Sequence, residues 1–142
     1  MSENIIEAIT LADLEEVVSF LQAENMTVST EQLNYLIKKN QQLSQLVRAD
    51  GKVVGVVLCS FDGIRAYLNK LVVNVDYRQQ GWGQKLIAAS VKKLRELECS
   101  ELLIVCKPFL ENWYAKQGFI KQESSCYILP LTEQKTQTLS CG

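Results

Sequence analysis

The chain contains no histidine. That absence removes Ser-His-Asp and Cys-His hydrolase chemistry, in which imidazole carries the proton, and leaves nothing to complete a mixed Cys/His zinc site. Charge of one sign is also lacking. Fifteen basic residues against sixteen acidic ones leave a net −1, where a nucleic-acid-binding surface calls for a basic excess. No apolar run approaches the roughly 20 residues of a spanning helix, and Met1-Ser2-Glu3-Asn4 has no basic-then-apolar leader pattern. These absences lead us to expect no membrane partner, no nucleic-acid partner and no metal. The five cysteines, Cys59, Cys99, Cys106, Cys126 and Cys141, are odd in number and never form C-x-x-C. Three sit in apolar strand-like runs, so buried free thiols are favoured over a redox or metal role, and a reducing cytoplasm follows.

What is present suits one globular domain over all 142 residues, with 47% hydrophobic and 22% charged residues. A core is expected over about residues 5–131, followed by a polar tail from Thr132 to Gly142. Ile5 to Ile9 reads as a strand. Thr10 with Asp13, and Ser29 with Gln32, resemble capping boxes opening two helices. Asp50-Gly51 and Asp62-Gly63 each separate apolar runs, the strongest short-range hairpin signal, and predict three antiparallel strands in succession. Gly81 and Gly83 open a helix with Leu86, Ile87, Val91, Leu94 and Leu97 along one stripe. Glu101 to Cys106 reads as a buried strand, Leu110–Lys116 as a short helix ended by Gly118, and Ser124 to Leu129 as a final strand. The order predicts an α+β sandwich. Its sheet is mixed but mostly antiparallel, with six to seven strands, one parallel pair joined by a crossover helix, and helices on both faces.

The most distinctive stretch runs from Leu71-Val72-Val73 into Arg78-Gln79-Gln80-Gly81-Trp82-Gly83. Glycines let backbone amides approach an anion closely, and a helix start presents unpaired N–H groups with a partial positive charge, which suits a pyrophosphate. This Arg-x-x-Gly-x-Gly loop after an apolar strand resembles motif A of the GNAT superfamily of N-acetyltransferases. Downstream, Asn112-Trp113-Tyr114-Ala115-Lys116-Gln117-Gly118-Phe119 resembles that family's N-x-x-Y-x-x-x-G-F segment, and the element order matches over roughly Ile5 to Leu131.

The resemblance implies acetyl-CoA as co-substrate, a primary amine on a small molecule or protein as acceptor, and attack through a tetrahedral intermediate. It also implies roles for single residues. Leu71, Val72 and Val73 would offer backbone groups to the pantetheine arm, with the Val73 amide facing the oxyanion. Arg78, Gln79, Gln80, Gly81, Trp82, Gly83 and Gln84 would cradle the pyrophosphate. Asn112 would contact the pantetheine, and Tyr114 would protonate the departing thiolate. The parallel pair would splay at the acyl-CoA site.

The chain departs from the pattern where relatives often carry a Glu or His base. Those positions are Tyr67 and Asn69, neither of which is a base at neutral pH. Water relayed by these two side chains and by carbonyls is the expected route, with Asp62, Glu111 and Glu123 as weaker candidates. An acyl-CoA-binding sensor or assembly module of the same fold is the alternative to an enzyme, and a homodimer is left open.

Overall fold

A computed structural model describes residues 4–132, and the chain divides between Ile104 and Val105 into two compact units. The N-terminal Met1 to Glu3, Cys141 and the tail beyond Thr132 lie outside the described residues.

The first unit runs β1 (Ile6–Ala8), α1 (Leu14–Ala23), α2 (Thr30–Lys39), β2 (Gln45–Ala49), β3 (Lys52–Phe61), β4 (Ala66–Val73), α3 (Trp82–Glu96) and β5 (Leu102–Leu103). Local chemistry explains most boundaries. Before α2 the capping box is complete: Gln32 N–H donates to Ser29 Oγ at 3.0 Å, and Ser29 N–H donates to Gln32 Oε1 at 2.9 Å. A single 3-10 turn, Leu11–Asp13, leads into α1, and there the Asp13 carboxylate accepts from Thr10 N–H at 2.8 Å. Asp50 and Gly51 have φ of 52° and 79°, and Ala49 pairs with Lys52, so this Asp-Gly makes the expected two-residue hairpin turn. The second Asp-Gly behaves differently. Phe61 pairs with Ala66, leaving four residues in the turn, and Asp62 Oδ1 accepts from the N–H groups of both Ile64 and Arg65 at 2.8 Å.

The sheet order is β1-β2-β3-β4-β5, antiparallel except for the last pair, where Ala66 and Tyr67 lie beside Leu102 and Leu103 in parallel. Among the described residues there are five strands, not six or seven. The strand expected over Glu101 to Cys106 pairs only at Leu102–Leu103. Ser124 to Leu129 carries no strand assignment. A strand exists only through its ladder, and no described strand pairs with this segment.

Alternation divides the buried side chains between two faces. On one, Leu46, Val56, Leu58 and Val72 pack against Val17, Val18 and Leu21 of α1 and Leu33 and Ile37 of α2. On the other, Val47, Gly55 and Leu86 of α3 meet so closely that a Cβ on Gly55 would stand 2.9 Å from Val47 Cγ1 and 3.2 Å from Leu86 Cδ1. Helices thus cover both faces, as expected. Two buried polar groups beneath α3 are matched: Ser90 Oγ donates to the Leu43 carbonyl at 2.6 Å, and Cys59 N–H donates to Ser44 Oγ at 3.0 Å. At the other end of the sheet, Arg48 on β2 ion-pairs with Glu7 of β1, with Asp13 at 2.8 Å and with Glu16 of α1 at 3.0 Å. Glu16 Oε2 also accepts from Val53 N–H at 3.1 Å.

The second unit contains a 3-10 turn (Pro108–Leu110) leading into α4 (Glu111–Lys116). Gly118, at φ 100°, ends α4 as expected, with Phe119 N–H donating back to the Tyr114 carbonyl at 3.2 Å.

Of the cysteines in apolar runs, Cys59 alone is buried. Cys99 and Cys106 are half-buried and Cys126 is exposed. Burial pushes the Cys59 thiol up to about 11, only partly opposed by its hydrogen bond with Ser90. No described helix is long and apolar enough to cross a membrane.

Candidate active site

β4 and the loop after it bring most of the candidate residues into one stretch. Asn74 N–H donates to the Val54 carbonyl at 2.8 Å, which makes that pair a hydrogen-bonded one. Such pairs alternate along an antiparallel ladder, so Val72, opposite Val56, is also turned toward β3. Leu71 and Val73 therefore turn their N–H and C=O groups to the opposite edge. That is the edge β5 accompanies at Ala66 and Tyr67 and has ceased to pair with further along. The parallel pair parts along β4, as expected. Arg78 Nε donates to the Val73 carbonyl at 2.9 Å, folding the arginine back onto the strand end.

The loop itself is shaped by two left-handed residues, Gln79 at φ 61° and Gly81 at φ 85°. A Cβ on Gly81 would meet no protein atom within 4 Å, so its demand for glycine comes from conformation, and the space beside it is open. Residues 78–81 are exposed. Trp82 is half-buried with Nε1 shielded and without a hydrogen-bond partner among the described residues, and Lys85 Nζ lies 4.6 Å from the centre of its ring. α3 is distinctive at its start. The first turns of α1, α2 and α4 carry Glu15 and Glu16, Glu31, and Glu111, whereas that of α3 carries no carboxylate. Its N-cap, Gly81, supplies no side-chain cap either, so the partial positive charge of this helix start meets no capping side chain and no carboxylate of its own turn.

Tyr67 and Asn69 come together through an irregularity that the sequence did not signal. Leu58 pairs with Lys70 and Cys59 with Leu68, so Asn69 is the extra residue of a β-bulge. Its Nδ2 donates to Ser60 Oγ at 3.1 Å, and Ser60 lies directly opposite Tyr67. Ser60 was missed because only the pairing register reveals it. By alternation from Val56 and Leu58, this polar trio stands on the face covered by α1 and α2. Asp62 is spent on its own turn: N–H bonds from Arg65 and Ile64 hold its carboxyl below the usual range, which makes it a poor base.

In the second unit, Asn112 is exposed on α4. Tyr114 is buried and packed edge-on between Trp113 and Phe119, with ring centres 4.9 Å and 5.5 Å away. Glu111 pairs with Lys121 at 3.3 Å.

Comparison with known proteins agrees with this geometry. An uncharacterized N-acetyltransferase, ycf52, of Pyropia yezoensis is 31% identical over 80 residues, covering 56% of this chain and 46% of that protein. N-alpha-acetyltransferase 30 of Saccharomyces cerevisiae is 28% identical over 100 residues, covering 57% of each. The chain thus spans about half the length of the curated relatives it matches. Among solved structures, Ard1 from Thermoplasma volcanium superposes with a TM-score of 0.74 at 19% identity, covering 84% of both chains. The sequence model of the Acetyltransferase (GNAT) family matches residues 9–119. With its splayed parallel pair and glycine loop, the chain belongs to the GNAT family of acetyltransferases.

Proposed function

We propose that this protein moves an acetyl group from acetyl-CoA to a primary amine by direct attack through a tetrahedral intermediate. One observation carries the reading. The Leu71 and Val73 backbone groups face an edge that β5 stops covering, and the same strand leads into a glycine loop and a helix start free of carboxylates. An extended amide-bearing arm can hydrogen-bond to such a strand edge, and a pyrophosphate suits such a helix start. The residues present therefore fit the donor.

On this reading Leu71, Val72 and Val73 align the pantetheine arm, and the Val73 N–H is the donor for the developing oxyanion. Residues 78–84 hold the pyrophosphate through backbone N–H groups, and Asn112 contacts the pantetheine. Tyr67 and Asn69, with Ser60 beside them, orient the water that carries off the amine's proton. Tyr114 returns a proton to the thiolate.

Calorimetry and turnover test the proposal together. Purified protein should bind acetyl-CoA and, with a panel of small primary amines and short peptides, release CoA in step with acetylated product. Tight acetyl-CoA binding without acetylation of any amine would make the chain a sensor or assembly module. Absence of binding would remove the donor site.

A further inference from the structure

The sheet has a second open edge, on the side away from the glycine loop. β1 is the outermost strand, with β2 and β3 between it and β4. Ile9 N–H donates to the Ser44 carbonyl at 2.9 Å, and the register runs back through Ala8 opposite Gln45 and Glu7 opposite Leu46. Hydrogen-bonded pairs alternate along an antiparallel ladder, so Glu7 is turned toward β2, while Ile6 and Ala8 turn their N–H and C=O groups outward. Among the described residues nothing bonds to those groups. Unpaired strand edges are templates for another chain.

Beside this edge lies an open groove of about 270 Å³, bounded by Ala8 of β1, Gln45 of β2, and Ala89, Lys92, Lys93 and Glu96 of α3. Residues opposite one another in a ladder share a face. Ile6 and Ala8 therefore stand with Val47 and Gln45 on the α3 side, and Glu7 stands with Leu46 on the side of α1 and α2. The floor of the groove is fixed, since Gln45 is buried and its Nε2 donates to the Gln42 carbonyl at 2.8 Å. Charge divides between the two faces of the edge. On the α3 side Lys93 pairs with Glu96 at 3.4 Å, and Lys92 has no ion-pair partner among the described residues. On the other side stands the exposed carboxylate of Glu7.

We propose that the β1 edge and this groove take up an extended acidic segment of a partner protein, which joins the sheet as a further strand. Its main chain pairs with the outward groups of Ile6 and Ala8, and its alternate side chains point to the α3 face. Charge complementarity selects the occupant. Carboxylates at every second position meet Lys92, and the intervening positions, which pass Glu7, are uncharged. The site does not depend on acetyl transfer, because the donor edge lies across the sheet on β4.

The test titrates the full chain with the capped pentapeptide Thr-Glu-Thr-Glu-Thr and follows amide chemical shifts and hydrogen exchange. Shifts should concentrate at residues 5–9, 42–45 and 89–96, and exchange at the Ile6 and Ala8 amides should slow as the shifts saturate. The same peptide with glutamine for glutamate should bind more weakly by about fivefold or more, the scale of an exposed ion pair. A version N-methylated at every residue keeps the charge but cannot donate, and should leave Ile6 and Ala8 unprotected. Lys92→Glu should weaken the acidic peptide by about fivefold or more with acetyl-CoA affinity unchanged. Ala8→Pro, which an edge strand accommodates, removes an outward donor and should weaken it too. No response at the edge overturns the site. Equal affinity for the glutamine peptide, or in Lys92→Glu, overturns the acidic guest, and equal protection by the N-methylated peptide overturns strand addition. Protection of Ile6 and Ala8 that grows with protein concentration alone would make the guest a second copy of this chain and overturn the partner.

Discussion

Gly81 holds a φ of 85° beside open space, so its substitution separates conformation from contact. Gly81→Val should fold, because the loop is exposed, but should weaken acetyl-CoA binding tenfold or more, about 1.4 kcal/mol, in calorimetry. Tyr114 poses the opposite problem, since its ring is core and its hydroxyl is the proposed acid. Tyr114→Phe keeps the edge-on contacts with Trp113 and Phe119 and removes one oxygen. If the acid role holds, kcat falls by roughly 10²–10⁴ with donor affinity unchanged; full activity would make Tyr114 a packing residue alone. The thiols differ in the same residue-by-residue way. Iodoacetamide at pH 8 should label exposed Cys126 well before Cys59, whose thiol is buried and pushed up to about 11; peptide mass mapping reads the order.

At the scale of elements, the signals legible in the sequence were those closed by a few neighbouring residues. Ser29 with Gln32, Asp50-Gly51 and Gly118 each set a boundary through bonds within about five positions, so the sequence alone placed them. Ser29→Ala should cost about 1 kcal/mol in urea unfolding, with the slope unchanged. Features that needed a partner strand were not legible. The Asn69 bulge, the two-residue extent of β5 and the four-residue turn after Phe61 depend on register between distant segments. The candidate site divides the same way. The glycine loop stands out in the linear sequence, whereas Ser60 becomes visible only across the ladder. Arg48 binds β1, β2 and α1 together through three carboxylates. Arg48→Met leaves Glu7, Asp13 and Glu16 without their shared cation and should lower stability by about 1–2 kcal/mol, less in high salt.

For the whole molecule, a rise in pH should favour both turnover and acid stability, the first at the alkaline end and the second at the acid end. Neither Tyr67 nor Asn69 is a base, so the rate should climb with pH toward the amine's own pKa; a plateau near pH 7 would reveal a tuned base elsewhere. Partial burial works against the Asp13 carboxylate, but hydrogen bonds from Thr10 and Arg48 outweigh it and hold the group below its ordinary range. A group depressed on folding contributes its stability above about pH 4 and loses it as pH falls through the folded value, so thermal melts should drop at the acid end, and less steeply in Arg48→Met. Gly55 extends the reach of the core to the loop. Leu86 of α3 packs directly over it, and about one turn before Leu86 the helix begins with the amides proposed to face the donor. The missing methyl works as a spacer of zero thickness: it sets the height at which the helix stands and hence where its first turn is aimed. Gly55→Ala, some distance along the chain from any ligand contact, should therefore register as a loss of acetyl-CoA affinity as well as of stability, a misalignment at the mouth written by a single carbon at the base.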